Sequence, residues 1–192
     1  MSDFFNRRTY LLHEHIGMTN LHEEYEIYDA ESSSHLGSAV ECATMTQKLG
    51  KLFLDRALLG LQVEVRERSG KPLLKLNRDG CGLFHDITVT DHDGKLVCRM
   101  VPSQIGLGAH IEVQDAVGTR LGQICGGWRG ECYTFTGISG ELIGKIDHLW
   151  RGYATEMFTT ADDYRIEVVG GASRAPMVLA GALCIDLLYH EA

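Results

Sequence analysis

The chain has 192 residues, of which 44% are hydrophobic and 23% are charged. This balance is sufficient for one domain with a sizeable core, and it is unlike the composition of disordered chains. The 18 Lys and Arg residues against 26 Asp and Glu residues give a formal net charge of −8. Since affinity for nucleic acid depends on cations that neutralise phosphates, no nucleic-acid partner is expected.

The chain begins without an apolar run followed by a small-residue cleavage site, so no secretory signal is predicted. Its six cysteines are scattered and include no CxxC pair, a pattern typical of reduced, mostly buried thiols. We therefore predict a single domain over residues 1–192 with a cytoplasmic location. Residues 1–9 are a segment that need not be ordered.

A short unit recurs along the chain: an alternating apolar stretch, a turn, and a second alternating stretch. The five clear units begin at Tyr25, Leu61, Ile87, Ile111 and Tyr133, and a less regular pair joins 153–158 to 164–168. Alternation gives each strand one buried face and one wet face, and glycine supplies the positive φ that tight hairpin turns require. About a dozen antiparallel strands would leave costly edges unless the sheet closed. The sequence therefore predicts an all-β fold, a closed antiparallel barrel of about twelve strands.

The last segment, residues 175–190, breaks the alternation and is apolar on every side. Pro176 suits the first turn of a helix, and a helix that is apolar all round must be buried in protein or in lipid. Such a helix reaches about 24 Å, short of the roughly 30 Å hydrocarbon core of a bilayer. Asp186 would also cancel most of the insertion energy. We therefore predict a central core helix, with a membrane span as the alternative. Its core positions are Pro176, Leu179, Leu183, Ile185 and Asp186.

Several motifs stand in a fixed order in the C-terminal third. They are Gly144-Lys145-Ile146, Trp150-Arg151-Gly152, Glu156-Met157-Phe158-Thr159, Ala161-Asp162-Asp163-Tyr164 and the helical pair Ile185-Asp186. In this order they resemble the phospholipid scramblase family. The resemblance extends back to a leading strand near Tyr10. In this part of the chain it consists mainly of the regular succession of predicted hairpins.

The resemblance implies a fold similar to the tubby C-terminal domain and the plant LURP-one-related proteins, a twelve-stranded barrel around an apolar helix. It also implies membrane phospholipids as partners and a peripheral position at the inner face of the plasma membrane. The implied activity is calcium-promoted, ATP-independent movement of phospholipids between leaflets. The alternative is a tubby-like module that binds a lipid head group or a protein and moves no lipid.

The family's proposed calcium loop aligns with residues 160–171. An EF-type loop needs several oxygen ligands and a bidentate acid at its twelfth position. Here only Thr160, Asp162 and the neighbouring Asp163 remain as ligands, and Gly171 stands at position twelve. The sequence therefore predicts weak calcium binding at most and no other cofactor, with a solvated acidic turn as the alternative.

No motif predicts enzyme chemistry. The glycines at 126–130 lack the Lys-Ser/Thr pair of a P-loop, and the chain has no GxSxG elbow. The stretch 91–94 is predicted to be a hairpin turn, and the His and Glu residues at 13–24 are predicted to lie on a solvated strand. Trp150 is predicted to close one end of the barrel, with a membrane-interface anchor as the alternative.

Overall fold

The structure, a computed structural model, describes residues 3–16, 23–42, 60–78, 85–103, 108–127, 131–149 and 163–189. Twelve β-strands lie in these ranges: β1 (Thr9–Ile16), β2 (Glu23–Asp29), β3 (His35–Glu41), β4 (Leu61–Glu67), β5 (Pro72–Arg78), β6 (Ile87–Asp91), β7 (Leu96–Pro102), β8 (His110–Gln114), β9 (Arg120–Gly126), β10 (Cys132–Gly137), β11 (Leu142–His148) and β12 (Asp163–Val168). A 3-10 helix (Asp3–Asn6) precedes them. A second 3-10 helix (Ala172–Arg174) leads into the α-helix α1 (Ala175–Tyr189).

The strands form a closed antiparallel barrel in which each strand pairs with its neighbours in sequence. The barrel closes because β1 pairs with β12 on one side and with β2 on the other. Leu12, for example, is opposite both Tyr164 and Ile27 in the register. Closure leaves none of the twelve strands with an unpaired edge. The predicted fold class is confirmed.

Helix α1 occupies the inside of the barrel and contacts strands on several sides. A Cβ atom added at Gly144 of β11 would lie 2.7 Å from Cγ1 of Val178, and one added at Gly181 would lie 2.7 Å from Cδ1 of Ile124 on β9. The hydroxyl of Tyr189 accepts a backbone N–H of β8 at 3.3 Å. Glycine at 144 and 181 therefore allows the helix and the wall to approach closely.

The stretch Ala172–Tyr189 is 18 residues long with a mean hydropathy of 1.3, which is long and apolar enough to cross a bilayer. In this fold its apolar side chains have another environment, because Leu179, Leu183 and Ile185 are fully buried against the barrel wall. The structure shows the predicted core helix and not the alternative membrane span, but Pro176 is half-buried at the start of α1 and is not a core position.

Four hairpins share one turn geometry. In each, the N–H of the first residue donates to the carbonyl four positions later, and a glycine N–H donates back to the first residue's carbonyl. These turns span 67–71, 91–95, 115–119 and 137–141, and their glycines are Gly70, Gly94, Gly118 and Gly140. All four glycines have φ between 78° and 85°, a conformation that glycine adopts at little cost.

The two ends of the barrel differ. One end, here called the turn end, carries these four hairpin turns, the β2–β3 turn at 29–34 and the start of α1. The other, the far end, carries the C-terminal turn of α1 and the first residues of β2 and β12.

The N-terminal 3-10 helix packs at the turn end. Phe4 and Phe5 are buried there, with exposures of 2% and 7%, and the Phe4 carbonyl accepts the Tyr10 hydroxyl at 3.0 Å. The sequence predicted that residues 1–9 could be a disordered segment. Burial of two phenylalanine rings is the physical reason that this part of the segment is structured.

Replacement of Leu183 by Arg tests the position of the helix. Because Leu183 is fully buried, the variant should lose its cooperative thermal unfolding transition, since an unpaired buried charge costs several kcal/mol of a total stability of about 5–15 kcal/mol. The matched control is Ile138→Arg, since Ile138 is 71% exposed. A Leu183→Arg protein that melts like the control would show that the helix does not lie in the core.

Candidate functional site

Asp186 is a carboxylate in the core of the barrel. It lies near the C-terminal end of α1 with 1% exposure, and its two oxygens accept hydrogen bonds of 2.5 Å from the hydroxyls of Tyr25 and Tyr164. A buried carboxylate is tolerated only where hydrogen bonds replace its hydration. Tyr25 lies on β2 and Tyr164 on β12, the two strands that flank β1. Asp186 therefore ties the helix to the seam at which the barrel closes.

Further polar side chains surround this seam at the far end. Alternation places Glu14 on the inner face of β1 opposite Tyr25, and His148 on the inner face of β11 opposite Tyr164. Glu14 and His148 are each 9% exposed. The His148 ring lies 5.1 Å from that of Tyr164. We call Glu14, Tyr25, His148, Tyr164 and Asp186 the seam cluster.

Sequence reasoning did not identify the seam cluster, apart from Asp186. Glu14 was expected on a solvated strand, and this was wrong because its side chain lies on the inner face of β1, with 9% exposure. The spacing Tyr10, Leu12, Glu14 is the signal that places Glu14 on the buried face, since residues two apart share a face.

Of the three residues predicted for calcium, Asp163 lies within the described part of the chain. Thr160 and Asp162 lie outside the described residues. Asp163 begins β12 with 9% exposure, and its Oδ1 contacts Nδ1 of His13 on β1. The Asp163 carboxylate is therefore already engaged by a neighbouring strand.

The family-motif residues divide into described and undescribed ones. Gly144 and Ile146 lie on the inner face of β11 and Lys145 on its outer face. A Cβ at Gly144 would also lie 2.8 Å from the Glu167 carbonyl oxygen, so this glycine is required for packing of both helix and sheet. The other motif residues, Trp150, Gly152, Glu156 and Phe158, lie outside the described residues.

A cleft of about 830 Å³ opens at the turn end. Residues of the turns 67–71 and 91–95, of the N-terminal 3-10 helix and of the start of α1 line it. Its apolar lining residues are Phe5, Leu73, Leu74, Leu96, Val97 and Pro176. Its charged lining residues include Lys71 and Lys95. We call it the turn-end cleft, and its mixed lining suits an amphiphilic molecule.

Three side chains at this end, Asp91, His92 and Asp93, offer potential metal-ligand atoms within 4.8 Å of one another. The Asp91 carboxylate oxygen Oδ1 accepts the backbone N–H groups of Asp93 and Lys95 at 3.0 and 2.9 Å. These bonds are those of the hairpin turn predicted at 91–94, so the Asp91 carboxylate stabilises the turn.

Comparison with known proteins gives one family. The family model described as Scramblase matches residues 123–192, a range that contains β10, β11, β12 and α1. The match confirms the predicted resemblance and includes Gly144 and Asp186. None of the curated proteins matches the chain.

The hydrogen bonds of Asp186 can be tested by a double-mutant cycle. Asp186→Ala should destabilise the protein by roughly 2–4 kcal/mol, because it removes the acceptor for two buried hydroxyls. Combined with Tyr164→Phe, it should show a coupling energy of about 1 kcal/mol or more in denaturant unfolding. Tyr10→Phe is the matched control, since the hydroxyl of this buried tyrosine donates to Phe4. The control cycle combines Asp186→Ala with Tyr10→Phe. A coupling energy as large in the control cycle as in the Tyr164 cycle would contradict a specific interaction between Asp186 and Tyr164.

Proposed function

We propose that this chain, whose residues 123–192 match the Scramblase family model, acts on membrane phospholipids and moves them between leaflets without ATP. The observation that carries the proposal is the position of the family match in the fold. It covers β10, β11 and β12, the last of which pairs with β1 to close the barrel, and the helix that fills it. The region that matches the family model is therefore part of the barrel and its core, and is not a segment attached to the outside of the fold.

The structure supports a peripheral mode of action. Helix α1 is enclosed by the barrel, so membrane association does not depend on insertion of this helix. The turn-end cleft supplies a lipid-compatible surface, with apolar side chains at its base and charged side chains at its rim. The proposed location is the cytoplasm, at the inner face of the plasma membrane.

Lipid binding without transport is a second candidate, and the filled barrel favours it. The inner wall contains buried apolar residues on every strand, including Val65, Leu76, Val89 and Phe135. Among the described residues of the inner face, the buried polar side chains lie at the two ends of the barrel, with apolar side chains between them. Asp29 lies at the turn end, and Glu14, Glu41, His148 and Asp186 lie at the far end. A lipid head group would find no continuous polar path through the described part of the barrel.

For calcium we propose weak binding, at the millimolar end of the range or below it. High-affinity sites use several carboxylates, and of the three candidate ligands Asp163 is already paired with His13. Transport should therefore be insensitive to micromolar calcium.

A liposome assay tests the proposed activity. Purified protein is added to vesicles that contain a fluorescent phospholipid, and a membrane-impermeant quencher is then added without ATP. We expect the quencher to remove more fluorescence than the fraction due to labelled lipid in the outer leaflet. The rate of this further loss should be the same in the presence of a chelator and in micromolar calcium. Protein-free vesicles give the baseline.

Vesicle flotation in the same samples separates the alternatives. Protein that floats with the vesicles but leaves the inner-leaflet lipid unquenched is a binding module, and the transport proposal is then wrong. Acceleration by micromolar calcium that is lost in Asp162→Ala would contradict the weak site.

A further inference from the structure

The turn end displays large apolar side chains to solvent. Val117 and Ile138 are 85% and 71% exposed, and they lie in the neighbouring turns 115–119 and 137–141. Among the described residues one more large apolar side chain is exposed, Leu149 at the far end, with 38%. Exposed apolar residues at the tips of adjacent hairpins are costly in water and are stabilised where they enter an apolar phase.

The other two of the four hairpins that share one turn geometry present lysines. The shared turn geometry places the residue after each glycine in an equivalent position, and these residues are Lys71 and Lys95 in the turns 67–71 and 91–95. Both lysines are exposed and line the turn-end cleft. Within the described part of the chain neither ammonium group forms a salt bridge.

The acidic residues of the cleft, by contrast, have partners. Asp3 forms a 3.0 Å salt bridge with Arg7, and Asp91 accepts two backbone N–H groups of its own turn. Glu67 accepts the Ser69 hydroxyl at 3.2 Å. Of the Lys, Asp and Glu side chains that line the cleft, the two lysines are therefore the ones that no described group pairs, and ammonium groups bind phosphate.

The base of the cleft complements these cations. Phe5, Leu73 and Leu74 are buried side chains that border the cleft. Pro176 also lines it, so the positive end of the α1 dipole lies at this side of the barrel. A phosphate held at the rim would bring an attached acyl chain against the apolar base.

We propose that the turn end is the membrane-docking face of the protein: Val117 and Ile138 enter the bilayer, and the turn-end cleft takes one phospholipid with its phosphate between Lys71 and Lys95. The inference rests on the proposed function and assigns it a surface. The occupant is a zwitterionic phospholipid bilayer. With a net charge of −8 the protein has no long-range attraction to the anionic lipids of the inner leaflet, so apolar insertion and contacts with the phosphates of zwitterionic lipids provide the affinity.

Flotation with vesicles of phosphatidylcholine tests this assignment. Val117→Asp and Ile138→Asp should each lower the vesicle affinity about tenfold, because each removes the burial of one large apolar side chain. The paired change Lys71→Ala with Lys95→Ala should lower it by about tenfold or more, since two charge-assisted phosphate contacts are lost. All of these side chains are exposed, so melting temperatures should be unchanged.

Two matched controls define the surface. Leu149→Asp makes the same chemical change at the far end, and Lys75→Ala with Lys145→Ala removes two lysines from the side of the barrel, on β5 and β11. Both controls should float like the unmodified protein. Short-chain dihexanoyl phosphatidylcholine should also bind in calorimetry, and inorganic phosphate should bind at least about tenfold more weakly because it lacks the apolar part.

The outcomes separate this inference from the proposed function. Unmodified protein that fails to float on any vesicle contradicts the proposed function and the docking face together. Flotation that survives the changes at Val117 and Ile138 overturns the docking face alone. Loss of flotation in Leu149→Asp would assign the membrane to the far end. Flotation that requires phosphatidylserine and disappears in high salt would show an electrostatic mode and overturn the zwitterionic assignment.

Discussion

Burial of a helix that is apolar on every side is the constraint on which the rest of this structure depends. Helix α1 has no polar face to offer to water, and its residues from Val178 to Leu187 are buried. A sheet with two free edges could cover only part of such a helix, whereas a closed barrel covers it completely. The same helix fills the interior that a twelve-stranded barrel would otherwise leave open. Sheet closure and helix burial therefore stabilise each other.

Asp186 fixes how the helix sits within the barrel. Its hydrogen bonds to Tyr25 and Tyr164 join α1 to the strands on both sides of β1, where the first and last parts of the chain meet. An unsatisfied carboxylate in this position would be strongly destabilising, so displacement of the helix along its axis is costly. Since the depth of the helix is fixed at the far end, its N-terminus is held at the turn end, beside the cleft. The core anchor and the proposed lipid surface are thus at opposite ends of one rigid element.

The architecture could be predicted from the sequence because it is governed by local patterns. Alternation and turn glycines such as Gly70 and Gly94 specify hairpins, and the unbroken apolar run specifies the core helix. The partners of Asp186 could not be predicted, because Tyr25 is 161 residues away in the chain. The same holds for the turn-end cleft, which forms only when Phe5, two hairpins and the start of α1 are brought together. The order at Phe4 and Phe5 was missed because a short N-terminal segment carries no periodic signal.

Thiol labelling of Cys98 tests most directly whether the helix stays in the barrel when the protein meets a membrane. Cys98 lies on the inner face of β7 with no exposure, and burial raises the pKa of its thiol to about 12. Cys132 is exposed, and although a hydrogen bond with Asp147 raises its pKa to about 11, it remains accessible as the internal control. The protein is incubated with a water-soluble maleimide, with and without phosphatidylcholine vesicles, and labelling is measured by peptide mass spectrometry. The enclosed helix predicts labelling of Cys132 and protection of Cys98 in both samples. Labelling of Cys98 that appears only with vesicles would show that α1 leaves the barrel for the bilayer, and would contradict this account.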